Sequence, residues 1–345
     1  VLGTVDQVGS RLLFRGYGVS DRRRPIDAAL TGTDALLFVD EAHLSTALLS
    51  TLDAAYRRDQ SGVPVPGCAV VRLSATGAPA QRVFSLDVDA HRGDAEAWRR
   101  LTAAKTLTVR EATVKDCPRV LADEARQHVA RLSGLRPANG PAPTVLVVCN
   151  TVDRARAVHA LLGKQTTART APLTADCQLL IGRSRPVDRP HLQEAIVARF
   201  GVARPAAERA AILVATQTVE VGVNLDADAL ISESASWDAL VQRLGRLNRL
   251  GHYGDRFPGA GPAVAVVVHD GQADAPVYGA ARDATWQRLR AEVDSAASDG
   301  IDVSPLACQA LSSGVFGDDR YRQTPAAVPV LLRPTLDAWV QTAPV

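Results

Sequence analysis

Short apolar runs, each ending in a small cluster of polar residues, recur along this chain, and that pattern leaves few folds open. Ala35–Val39 leads into Asp40-Glu41-Ala42-His43, and Cys68–Leu73 leads into Ser74-Ala75-Thr76. Thr144–Cys149 leads into Asn150-Thr151, and Ala211–Val214 into Ala215-Thr216-Gln217. Leu179–Ile181, Ala229–Ser232 and Ala263–His269 read the same way. Runs this short and continuous predict strands buried on both faces, as in parallel sheets covered by helices. Helical spacing around Leu44–Asp59 and from about Asp153 to Leu162 supplies such covers. Asn150 or Thr151 is placed to cap the second of these helices.

The chain has 345 residues, 46% hydrophobic and 22% charged, enough for two ordinary domains and a tail. That balance indicates a globular chain rather than a disordered one. Its apolar stretches are too short to cross a bilayer and no signal pattern opens it, so a cytoplasmic protein without a membrane partner is expected. A net charge of +2 requires any nucleic-acid surface to be a local patch. The five cysteines are odd in number and form no Cys-x-x-Cys pair, as free buried thiols in a reducing compartment would. Gly134–Pro143 holds three prolines and two glycines and reads as a linker. The expected division is a partial first domain over 1–135, a second over 136–270, and a C-terminal accessory segment over 271–345. That last segment carries a helix over Ala280–Ala297 and an irregular end.

The chemistry lies at the strand ends, where α/β proteins bind ligands. Asp40 is expected to serve Mg2+ through a coordinated water, and Glu41 to orient and deprotonate the water that attacks ATP. His43 would couple this site to the neighbouring domain. Ser74 and Thr76 offer hydroxyls that relay the state of the acidic cluster, although a simple turn explains them too. In Ala215–Asp226, hydroxyls, an amide and backbone N–H groups, Thr216 and Gln217 among them, suit a sugar-phosphate backbone, and Asp226 suits a ribose or an arginine, although an ordinary polar loop from strand to helix explains them too. The block Gln242-Arg243-Leu244-Gly245-Arg246-Leu247-Asn248-Arg249 carries the sharpest signal. In a helix, Gln242, Arg246 and Arg249 would share one face, with Arg243 beside them. Guanidinium groups stabilise charge on a phosphoryl group in transfer, which makes Arg246 and Arg249 the expected arginine fingers. A solvated basic helix is the plainer alternative. Arg183, Arg185 and Arg189 suit phosphates of DNA or an exposed loop equally. His269-Asp270 invites a metal-nuclease reading, but no other histidine stands at ligand spacing, and a strand-end turn is preferred.

In this order the motifs resemble a superfamily 2 helicase with a DEAH box, and more narrowly the CRISPR-associated helicase (helicase-nuclease) of type I systems. Gly3-Thr4-Val5-Asp6-Gln7 resembles that family's DNA-side motif, which implies DNA contacts for Thr4 and Gln7. Asp40–His43 matches its acidic box, and Val214–Asp226 resembles its fifth motif. Gln242–Arg249 carries Asn248 where DEAD-box proteins usually have glycine. Val277-Tyr278-Gly279 and Thr285-Trp286 also resemble the family, and Val330–Trp339 resembles subtype G (formerly U). The resemblance implies two RecA-like parallel-sheet domains, the first incomplete, with ATP held between them and a C-terminal helical or irregular extension. It gives nucleotide contacts to Asp226, Arg243 and Gly222, catalytic roles to Gln242 and the two fingers, and strand contacts to Asn150, Thr151, Thr216 and Gln217. It further implies 3′-to-5′ movement on single-stranded DNA, the displaced strand of an R-loop. A Cascade-type CRISPR effector complex and a His-Asp nuclease domain, fused or separate, are the implied partners.

Two departures stand out. Ile181-Gly182-Arg183 occupies the place of His-Ser-Arg. No Gly-x-x-x-x-Gly-Lys-Ser/Thr loop occurs, the chain lacks methionine, and it begins Val1-Leu2-Gly3, so a truncated first domain with little ATP turnover of its own is expected. Another superfamily 2 DNA translocase, of repair or restriction, and a non-catalytic helicase-like scaffold are the competing readings.

Overall fold

The structure is a computed structural model that describes residues 2–42, 45–59, 67–74, 88–163, 175–182, 187, 189–201, 209–220, 222–272, 276–297 and 299–323. It divides into two compact units, the first built on Val1–Val83 and the second on Phe84–Thr324.

The first unit contains α1 (Val5–Leu12), α2 (Arg24–Gly32), β1 (Leu36–Val39), α3 (Thr46–Asp59) and β2 (Ala69–Arg72). A capping box starts α1: Gln7 N donates to Thr4 Oγ1 at 3.3 Å, and Thr4 N donates to Gln7 Oε1 at 3.1 Å. β1 and β2 are parallel, with Leu36 opposite Ala69 and Val39 opposite Arg72. Val39, Ala42, Leu48, Leu49 and Leu52 form its small buried cluster, while Leu36 and Phe38 are exposed.

The second unit begins with α4 (Ala95–Leu101), β3 (Lys105–Glu111), α5 (Cys117–Leu135), β4 (Thr144–Val148), α6 (Val152–Gly163), β5 (Ala175–Leu180) and α7 (Arg189–Phe200). It continues with β6 (Ala210–Ala215), β7 (Ala229–Glu233), α8 (Trp237–Leu244), α9 (Tyr253–Arg256), β8 (Ala263–His269), α10 (Gly279–Ser295), β9 (Ile301–Asp302) and α11 (Pro305–Ser313). Among the described residues these strands make one sheet in the order β5-β6-β4-β7-β8-β3-β9. All neighbours are parallel except β9, which runs antiparallel on the β3 edge. Every residue of β4, β6 and β7 is buried, as central parallel strands covered on both faces require. The fold class expected from the sequence, α/β with parallel sheets, is the fold found.

The division at 135/136 is not where the units part. Leu107 of β3 is fully buried and pairs with the sheet through β8, and α5 buries Leu121, Ala125 and Leu132 in the same core. Arg136–Pro143 is the connection from α5 to β4, so its three prolines and Gly140 mark a turn within one unit. The accessory segment also belongs here: Ile301 pairs with Leu107, and Trp286 and Leu289 of α10 join the core. Gly300 leads into β9 with φ +150, and a Cβ there would stand 2.5 Å from the Leu107 carbonyl oxygen. Among the described residues no helix is long and apolar enough to cross a membrane.

Candidate functional site

Because β4, β6, β7 and β8 are parallel, their carboxyl ends open at one edge of the sheet. Asn150, the turn Gln217–Glu220, Glu233-Ser234 and His269-Asp270 all lie there. Asn150 knits the edge together. Its backbone N–H donates to Glu233 Oε2 at 2.6 Å, its amide donates to the Ser234 carbonyl at 2.8 Å, and its own carbonyl accepts from Gln217 Nε2 at 2.8 Å. Thr151 Oγ1 accepts from Arg154 N at 3.2 Å and caps α6.

Arg243 stands at the centre, with no exposed surface. Its guanidinium donates to Glu220 Oε1 (2.8 Å), Ser232 Oγ (2.9 Å), the Glu233 carbonyl (3.0 Å), Asn150 Oδ1 (3.0 Å) and Tyr278 Oη (2.8 Å). Burial disfavours this charge, but Tyr278, Glu220 and Glu233 around it raise its pKa above the usual arginine value. All five N–H donors of the fork are thereby satisfied inside the protein. The nucleotide contact expected of Arg243 is accordingly replaced by an internal one.

The rest of the arginine block departs from a helix. α8 ends at Leu244, with Gly245 as its C-cap, so Gln242, Arg246 and Arg249 do not share a helical face. Arg246 is buried and directs Nε to the Val219 carbonyl (2.9 Å) and a terminal nitrogen to the Glu220 carbonyl (2.5 Å). Asn248 sits at φ +41, a left-handed conformation that asparagine and glycine tolerate best. Its side chain ties the turn down, accepting from Tyr253 N at 3.0 Å and donating to the Ala104 carbonyl at 3.3 Å. Beyond this turn Arg249 is exposed, and its guanidinium has no partner among the described residues. Gln242 is half-buried, and its Nε2 has no hydrogen-bond partner among the described residues.

Asp226 points inward instead of toward a ribose. It is 1% exposed, accepts from Arg249 N at 2.7 Å and pairs with Arg256 at 3.0 Å. Thr216 is buried, Gln217 half-buried, and Gly222 exposed with φ +79. In the first unit, Asp40 is exposed at the end of β1 and accepts from Glu41 N at 3.0 Å. Glu41 has φ +47, an uncommon conformation for a residue with a side chain. Thr4 and Gln7 are engaged in the α1 capping box, and Ser74 is exposed after β2. His43, Thr76, Arg183 and Arg185 lie outside the described residues, as does Val330–Trp339.

His269-Asp270 does not form a metal pair. His269 Nδ1 meets Ser234 Oγ at 2.9 Å, and its ring stacks on Trp286 at 4.7 Å. Asp270 is held by Arg154 (2.7 Å) and Arg282 (3.0 Å). Burial opposes its ionisation, yet the Gln272 N–H and these guanidinium groups keep its carboxyl below the usual range. Cys117, Glu233 and Asp270 approach one another closely, but Arg154 also reaches Glu233 at 3.5 Å. Burial pushes the Cys117 thiol up to about 12, and both carboxylates of the group already have arginine partners.

Three structural residues escaped the sequence reading. Glu220 lay within a recognised motif without a role; Tyr278 was noted only for its resemblance. Lys105 had no signal at all: it is buried, donates Nζ to the Leu244 carbonyl at 3.0 Å, and so closes the C-terminus of α8. Burial lowers its ammonium from 10.5 to about 8.

Residues 142–252 match the family described as CRISPR-associated nuclease/helicase Cas3, C-terminal. Over 258 residues the chain is 28% identical to the CRISPR-associated endonuclease/helicase Cas3 of Escherichia coli (strain K12), covering 69% of this chain and 28% of that protein. Its fold is similar to that of T. fusca Cas3 with AMPPNP, at a TM-score of 0.57 and 24% identity over 92% of this chain and 40% of the other. A chain of a CRISPR RNA-guided surveillance complex, pre-nicking, is similar at a TM-score of 0.53 and 23% identity, over 93% of this chain and 42% of that one. The chain thus spans well under half of each of these relatives. The resemblance drawn from the motifs, to a CRISPR-associated helicase, agrees with the family match and with the Escherichia coli relative, and the two structures share the fold.

Proposed function

We propose that this chain, similar to Cas3 helicases over most of its length, is helicase machinery of CRISPR interference that uses ATP to move along single-stranded DNA, 3′ to 5′. The observation that carries the reading is the contrast within the arginine block. Arg243 and Arg246 are buried and hold the strand-end turn from within, while Arg249, just past them, presents an exposed guanidinium. Such a fork suits phosphate oxygens.

The residues fit the nucleotide and its ion. Asp40 offers an exposed carboxylate at a strand end, the hard oxygen donor that hydrated magnesium prefers. Bound Mg2+-ATP would supply the phosphoryl group whose transfer to water drives the cycle. Asp40 would hold the ion through water, and Glu41 would take the proton of the attacking water. Arg249 would steady the charge that develops, the Gln242 amide would assist the reaction, and Arg246 would brace the turn. Exposed or half-buried polar groups at Gln7, Ser74, Thr151, Gln217 and the Gly222 backbone would meet the DNA strand. Cascade bound to target DNA is the proposed recruiter, an assignment supported by the likeness to a chain of a surveillance complex.

The test is ATP turnover by the intact protein with single-stranded DNA. Arg249→Ala is expected to lower kcat about a thousandfold, the scale of a lost arginine finger, with an unchanged melting temperature. Turnover indifferent to both the DNA and Arg249 would overturn the reading. Absence of binding to Cascade on its target would overturn the recruitment alone.

A further inference from the structure

The turn Gln217–Glu220 is held from several sides. Gln217 is tied to Asn150, the Val219 and Glu220 carbonyls are tied to Arg246, and the Glu220 carboxylate is tied to Arg243. One further anchor comes from outside residues 142–252. Tyr278 stands at the N-cap of α10 and is 5% exposed. Its hydroxyl donates to Glu220 Oε1 at 3.1 Å and accepts from Arg243 at 2.8 Å, and its ring lies 5.6 Å from the Arg243 guanidinium. The same helix is fixed to the sheet edge by Arg282 on Asp270 and by Trp286 on His269. A phenol thus closes a buried triangle of cation, carboxylate and hydroxyl, in which each member satisfies two others.

We infer that Tyr278 is a positioning residue, which joins α10 to the turn Gln217–Glu220 and to the arginine block so that the three move as one body. Its part is to keep Glu220 and Arg243 in register, so that a displacement of the turn by a bound strand is transmitted to the segment ending at Arg249. The inference rests on the helicase reading for its consequence, but its structural half stands without it.

The experiment compares the intact protein with its Tyr278→Phe variant, which keeps the ring and removes only the hydroxyl. Hydrogen exchange at the amides of Thr216–Glu220 should quicken about tenfold in the variant, as expected for loss of a buried hydrogen bond, with β4 and β6 unchanged. With single-stranded DNA, kcat for ATP should fall roughly tenfold at an unchanged KM for ATP. Glu220→Gln should have little further effect on kcat in the Tyr278→Phe background, because both act through one network. Exchange in the variant equal to that of the parent overturns the inference, as does an unchanged kcat in a protein that DNA stimulates. A parent protein that DNA does not stimulate sinks the helicase reading instead, and the exchange measurement then decides the role of Tyr278.

Discussion

Arg243 and Arg249 are six positions apart, share one chemistry, and have opposite surroundings. Removing Arg243 leaves Glu220, Asn150 and Tyr278 facing a void inside the protein, whereas removing Arg249 leaves only water. Arg243→Met should therefore cost about 3–5 kcal/mol of folding stability, the scale for breaking a buried charged pair. Arg249→Met should stay within about 0.5 kcal/mol, as surface substitutions do. Urea midpoints of the two variants check this, and equal midpoints would refute the division of roles. At this scale the sequence announced that guanidinium groups cluster, because three arginines in eight positions carry a strong pattern. It could not announce their directions. Helical spacing assumes a helix, and Gly245 and Asn248 end that assumption by turning the chain after Leu244. Asn248 was visible as an oddity, and its φ of +41 gives the reason: the position tolerates glycine or asparagine, and asparagine adds two hydrogen bonds.

Among elements, strands buried on both faces were legible because nothing but apolar side chains suits them. β4, β6, β7 and β8 were found within a residue or two of their ends for that reason. β3 escaped because its sequence, Lys-Thr-Leu-Thr-Val-Arg-Glu, alternates and is charged at both ends, while β9 has two residues and no pattern to show. Missing β3 carried the domain division to the wrong turn. Its first residue also ties β3 to α8, since Lys105 closes that helix. The unfolded chain keeps the lysine proton to 10.5 and the folded one only to about 8. Between those values the unfolded state binds more protons, so this group makes stability rise with pH there and withholds the gain as pH falls through 8. The span corresponds to about 3 kcal/mol. Subtracting the pH–stability curve of Lys105→Met from that of the parent isolates the effect, because raised thiols such as Cys117 act in the opposite sense. A difference curve that is flat from pH 8 to 10 would remove Lys105 from the account.

At the scale of the whole molecule, the described residues of the two units differ in how much core they form. Among those residues the second unit gathers most of the buried apolar ones, and the first shows a cluster of five. The sequence reading anticipated two α/β units but not this imbalance, since apolar runs report strands and not how well they are covered. The large sheet must also end somewhere, and among the described residues it ends on the β3 side at β9. Sheet edges left bare recruit other chains. Two residues of antiparallel pairing cover this one, and they reach it only because Gly300 adopts φ +150 against the Leu107 carbonyl. A Gly300→Val chain could not make that approach. It should keep its fold in dilute solution and scatter light increasingly with concentration, where the parent does not; matching scattering would show the margin to be harmless. One missing carbon atom thus guards the colloidal behaviour of the protein, a duty unrelated to the chemistry at the other end of the strands.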